Sequence, residues 1–114
     1  MVSRKQVGPR MSQAVVHNGT VYLAGQVADD GSAPVAEQTQ QVLAKIDRLL
    51  AECGTDKTKL LSATIWLKDI GQFAEMNKVW DAWVSPGNTP ARACVEAALA
   101  APQFLVEVGI IAAV

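Results

Sequence analysis

Phe104-Leu105-Val106-Glu107-Val108-Gly109-Ile110-Ile111-Ala112-Ala113-Val114 contains a single polar side chain, the carboxylate of Glu107. An apolar run of this kind reads as a strand buried on both faces of a layered domain. A lone ionised carboxylate in that setting is costly unless a cation pairs with it or water reaches it. Glu107 is therefore expected to meet a cation or to line a wet cavity, and either outcome marks a site.

Working back from this strand, Arg92 to Ala98 predicts a second strand, joined to the last by Ala100-Ala101-Pro102-Gln103. Leu60 to Lys68 alternates. Leu61, Ala63, Ile65 and Leu67 point one way, and Ser62, Thr64, Trp66 and Lys68 the other. Gln13 to His17 and Thr20 to Val27 flank Asn18-Gly19, the preferred two-residue hairpin turn. After the turn-rich Asp29 to Pro34, the residues Val42, Leu43, Ile46, Leu49, Leu50 and Cys53 repeat at helical spacing, and Gly54 predicts the stop. Asp69, with Gln72 in a capping-box position, predicts the start of a second helix. Its apolar stripe is Phe73, Met76, Trp80, Trp83 and Val84, and Ser85-Pro86-Gly87-Asn88 ends it. The pattern predicts a single α+β domain over residues 1–114. It is a two-layer sandwich, with a mixed β-sheet carrying both helices on one face. The opposite sheet face keeps apolar side chains such as Trp66, so a second copy is expected to cover it.

Half of the 114 residues are apolar and only 18% are charged, which excludes a disordered chain. The net charge of −1 and the absence of a basic stripe argue against nucleic acid as the main partner. No segment is long and apolar enough to span a bilayer, and Met1 to Gln6 lacks the apolar core of a signal peptide. Two distant cysteines form no disulfide framework, so a cytoplasmic protein with reduced thiols is expected.

Arg92 follows Thr89-Pro90-Ala91, a segment with no other charge. A guanidinium at a strand start presents a planar fork suited to a carboxylate. Two readings of Arg92 and Glu107 stand side by side. They form a structural ion pair, or Arg92 grips a substrate carboxylate while Glu107 acts on a proton or water beside it. Asn77 shares a helical face with Phe73, Met76 and Trp80 and needs hydrogen-bond partners, either from nearby backbone or from the same cavity. Gly25, inside a strand, marks a close approach. Cys94 has no base nearby in an obvious pattern and reads as a small buried residue. One histidine, His17, at a turn does not make a metal site.

The stretches Ser12-Gln13-Ala14-Val15-Val16, Val21-Tyr22-Leu23-Ala24-Gly25-Gln26, Gln38-Thr39, Thr64-Ile65-Trp66-Leu67-Lys68-Asp69, Phe73-Ala74-Glu75-Met76-Asn77, Pro90-Ala91-Arg92-Ala93-Cys94-Val95 and Val106-Glu107-Val108, in this order, carry a resemblance. From about Gly8 to Val114 the chain resembles the RidA/YjgF family of imine deaminases, especially its YoaB-like branch. The resemblance implies a chorismate-mutase-like fold and a homotrimer with active sites in clefts between subunits. It implies hydrolysis of 2-imino acids such as 2-iminopropanoate and 2-iminobutanoate to 2-oxo acids and ammonia, without a cofactor. By the same resemblance, Arg92 binds the substrate carboxylate and Glu107 positions the attacking water. The Cys94 backbone helps to hold that water, Gly25 contacts substrate, and Asn77 lies near the cleft. Two departures touch the pocket. Ala24 stands where deaminating members commonly have serine, and Arg10-Met11 where they commonly have tyrosine. These departures favour the alternative of a non-catalytic protein of the same fold that binds small carboxylates.

Overall fold

The computed structural model describes all 114 residues. Its hairpin is built as the turn chemistry requires. Asn18 and Gly19 both adopt positive φ, +50° and +74°, and His17 faces Thr20 across the turn. The strands it joins are β2, Ser12–His17, and β3, Thr20–Leu23. A further strand, β1 (Ser3–Val7), precedes them and pairs antiparallel with β2. Its residues are almost all exposed, so it has no apolar alternation to announce it.

Helix α1, Val35–Glu52, buries Val42, Leu43, Ile46, Leu49 and Leu50 on the predicted face. It stops at Gly54, whose φ is +77°. The Gly54 N–H donates to Ala51 O at 3.1 Å and the Thr55 N–H to Leu50 O at 3.0 Å, closing the last turn. Strand β4 is Leu60–Leu67, helix α2 is Phe73–Trp83, β5 is Ala91–Glu96 and β6 is Val106–Ala113. The six strands form one sheet in the order β1-β2-β3-β6-β4-β5. Only β4 and β5 run parallel, the crossover between them being α2.

Two local readings are corrected. Leu61 is 50% exposed, and Leu60 is buried instead, because an irregularity between Leu60 and Ser62 inverts the alternation at the start of β4. Asp69 does not cap α2 directly. Its carboxylate accepts the Gly71 N–H at 2.8 Å in a single 3-10 turn over Ile70–Gln72, and α2 begins one residue later. Gln72 therefore completes no capping box, and its Oε1 is buried without a partner.

Both helices cover one sheet face. There Ala14, Val21, Ala63, Ile65, Leu67, Val106, Val108, Ile110 and Ala112 form the core with α1 and with Met76 and Trp80 of α2. The other face is open in a single copy. Tyr22, Val95 and Ile111 are exposed there, and Trp66 lies half-buried against Gly109. The β6 stretch, expected to be buried on both faces, is therefore buried on one face by its own chain, and its second face is open.

Candidate functional site

Glu107 is the second residue of β6 and lies on the open face, directly opposite Trp66 of β4. A bulge shapes the space beside it. Tyr22 pairs with Ile111 and Gln26 with Val108, so Leu23, Ala24 and Gly25 span the length that Gly109 and Ile110 span on β6. The Gln26–Val108 pair exchanges two backbone hydrogen bonds, of 2.9 and 3.1 Å. The buried Gln26 amide then pins the bulge, its Nε2 donating to Gln13 Oε1 at 2.9 Å and to Ala24 O at 3.0 Å. This places the bare backbone of Gly25 against the Glu107 side chain. A Cβ at position 25 would run into the carboxylate and lie 3.0 Å from Glu107 Cδ.

Glu107 is half-buried and makes no hydrogen bond within the chain. The only ion pair of the molecule joins Lys45 to Asp29, at 3.0 Å. Ala24 is half-buried in the bulge. Met11 is exposed just before β2, at the sheet end where the Ala24 N–H donates to Gln13 O. Glu107, Gly25, Ala24 and Met11 thus belong to one region.

Arg92, Cys94 and Asn77 belong to another. Strand β5 is a sheet edge, and its register sets Arg92 beside Ala63 and Cys94 beside Ile65, both of which face the helices. Arg92 accordingly reaches toward α2. Its Cζ lies 5.3 Å from the Trp80 ring centroid and 5.8 Å from that of Phe73. No carboxylate or carbonyl of the chain accepts a hydrogen bond from it. Asn77 lies one helical turn from both Phe73 and Trp80, with its Oδ1 sealed from solvent and unpartnered. Burial pushes the Cys94 thiol above its ordinary range, and the Arg92 charge pulls the other way. The thiol is thus protonated near neutrality, which disfavours a nucleophilic role. The Ala97 N–H donates inward to Leu67 O at 2.9 Å. By alternation, the N–H groups of Arg92, Cys94 and Glu96 point outward along the free edge.

Arg92 and Glu107 therefore lie on opposite faces of the sheet, with β4 between their strands. A structural ion pair within one chain is excluded. Neither residue lines either of the two concavities of a single copy. One, of about 590 Å³, lies between α1 and α2; the other, of about 330 Å³, lies among Gln6, Gln13, Gln26, Lys45, Arg48 and Leu49. No three His, Cys, Asp or Glu side chains converge as metal ligands. The sequence reading assigned no role to Gln26, Phe73 or Trp80 beside these residues. For Gln26 the available signal was a glutamine closing an apolar strand.

The family model described as Endoribonuclease L-PSP matches residues 4–114, and a crystal structure of a YjgF-family member from Neisseria meningitidis is 54% identical, with a TM-score of 0.96 over 99% of this chain and 94% of that one. The chain belongs to the YjgF/RidA family. Among its YjgF/RidA relatives, YoaB of Escherichia coli K12, named a RutC family protein, is 47% identical over 92% of this chain and 91% of its own. A rat protein named 2-iminobutanoate/2-iminopropanoate deaminase is 33% identical over 89% of this chain and 77% of its own. The mixed sheet with two helices on one face matches the YjgF structures, and no helix is long and apolar enough to cross a membrane.

Proposed function

We propose that this YjgF/RidA protein hydrolyses small 2-imino acids to 2-oxo acids and ammonia, at cytoplasmic sites composed between neighbouring copies of a homotrimer. One observation carries the reading. Arg92 is half-buried with its guanidinium free of any protein acceptor, while the isolated carboxylate of Glu107 occupies the opposite face. A cation without an acceptor and a carboxylate without a cation complete each other when one copy's β5–α2 edge meets another copy's open face. The name of the rat relative supports this chemistry.

The substrate carboxylate docks on Arg92 through two parallel charge-assisted hydrogen bonds. A water beside Glu107 attacks C2 of the C=N bond, and its proton passes to the carboxylate. The tetrahedral adduct carries hydroxyl and amino groups on C2. The imine reacts in its protonated form, so its nitrogen is an amino group in the adduct. Glu107 returns the water proton to that nitrogen, then takes the hydroxyl proton as the C–N bond breaks and C2 becomes a carbonyl. The departing ammonia carries this last proton away as ammonium. The imine is already an activated electrophile, so positioning and one proton relay, the latter worth about 10²–10⁴-fold, suffice without a cofactor.

Following the decay of 2-iminopropanoate generated in situ tests this. The wild type accelerates the decay, and Arg92→Ala and Glu107→Gln do not; wild type behaving like buffer refutes the reading. The missing hydroxyl at Ala24 favours a second reading, a carboxylate-binding module without turnover. Tight 2-oxo acid binding with no imine hydrolysis selects it. The net charge of −1 argues against RNA as substrate.

A further inference from the structure

A half-buried arginine is usually held by a carboxylate or by carbonyls. Arg92 is held by neither, and two aromatic rings of α2 flank it instead. Phe73 and Trp80 stand two helical turns apart on one stripe, which brings both to the same side chain of β5. Trp80 is 5% exposed and anchored in the core. Trp83 braces it with a ring centroid 5.4 Å away, and the Trp83 indole N–H donates to Asp47 of α1 at 3.0 Å. Phe73 is 40% exposed, an apolar ring that its own chain leaves uncovered.

We propose that Phe73 and Trp80 are positioning residues that fix the Arg92 guanidinium for bidentate capture of a carboxylate. The inference rests on the reading of Arg92 as the carboxylate-binding side chain. An acidic partner would also restrain Arg92, but it would occupy the fork and neutralise the charge that the ligand needs. A ring attracts the cation through its π-face and takes none of the in-plane N–H groups. The aromatic pair thus restricts the arginine rotamers before the ligand arrives, which lowers the ordering cost of binding.

The test is equilibrium binding of 2-oxobutanoate, a stable carboxylate, alongside the KM and kcat for imine hydrolysis. Phe73→Leu, at the exposed end of the pair, raises Kd and KM by about three- to thirtyfold and changes kcat less. Phe73→Tyr, which keeps the ring face, recovers the lost binding. In the wild type 2-oxobutanoate gives a saturable change in indole emission, and Trp80→Phe diminishes it. Binding by Phe73→Leu within about twofold of wild type, while Arg92→Ala loses it, overturns the proposal. Wild-type affinity in Arg92→Ala overturns it together with the carboxylate-binding reading. Binding that weakens in Phe73→Leu with no imine hydrolysis by the wild type supports the aromatic pair and refutes only the hydrolase reading.

Discussion

Two variants that are each inactive restore activity when their subunits are mixed, if the site is composed as proposed. The perturbation is Arg92→Ala in one preparation and Glu107→Gln in the other. Within a chain these side chains occupy opposite sheet faces, so each cleft draws its arginine from one copy and its glutamate from a neighbour. In an equal mixture that reassembles at random, both contributions are intact in one pairing of four. The mixture therefore reaches about one quarter of wild-type activity, whatever the number of copies in a closed ring. Each preparation is unfolded and refolded alone and together, and the decay of 2-iminopropanoate is followed at equal total protein. Mass spectrometry of intact assemblies verifies that the subunits have mixed. If Arg92 and Glu107 served one site from one chain, every mixed site would carry a lesion. Mixed assemblies with no activity above either parent would therefore refute the composed site.

Three further outcomes follow from the structure. Gly25→Ala displaces the Glu107 carboxylate and lowers kcat by about 10²-fold or more, while the thermal unfolding midpoint stays near wild type because only a flexible side-chain end must move. Gln38→Leu orphans the Leu105 N–H and the Ala33 and Gln103 carbonyls, which costs about 3 kcal/mol in urea unfolding at matched protein concentration. The Cys94 thiol, held above its ordinary range chiefly by burial, resists iodoacetamide near neutral pH and reacts faster as pH climbs through that raised value. The stability contributed by keeping it neutral is present below the ordinary thiol range and is lost as pH rises past it.

The hairpin, both helices and the last strand were legible because each carries a local signal: an Asn-Gly turn, a 3.6-residue stripe, an uncharged run. Strand β1 was not, since Ser3–Val7 buries almost nothing and its place depends on hydrogen bonds to β2 alone. Leu61 was assigned to the wrong face because strict alternation cannot foresee a one-residue irregularity. At the candidate site, Arg92 and Glu107 each stood out as a charge among neutral neighbours. Alternation gives the two faces of each strand but not which face of β5 matches which face of β6. That phase depends on how both strands register against β4. The aromatic flank of Arg92 was hidden for a related reason. Phe73 and Trp80 read as ordinary core stripe until the crossover set α2 above the edge strand.

The buried Gln38 amide bonds the Ala33 and Gln103 carbonyls and accepts the Leu105 N–H at 3.0 Å, tying the loop before α1 to the approach to β6. One side chain thus fixes the chain length on both sides of it. An insertion between Gln103 and Val106 would pull the anchored groups out of reach, whereas the exposed turn at Gly8 to Met11 is closed by a single local bond, from the Gly8 N–H to Met11 O at 2.9 Å, and is tied to no distant element by a side chain. Length variation among descendants of this sequence should therefore gather in that turn and be purged from the entrance to β6.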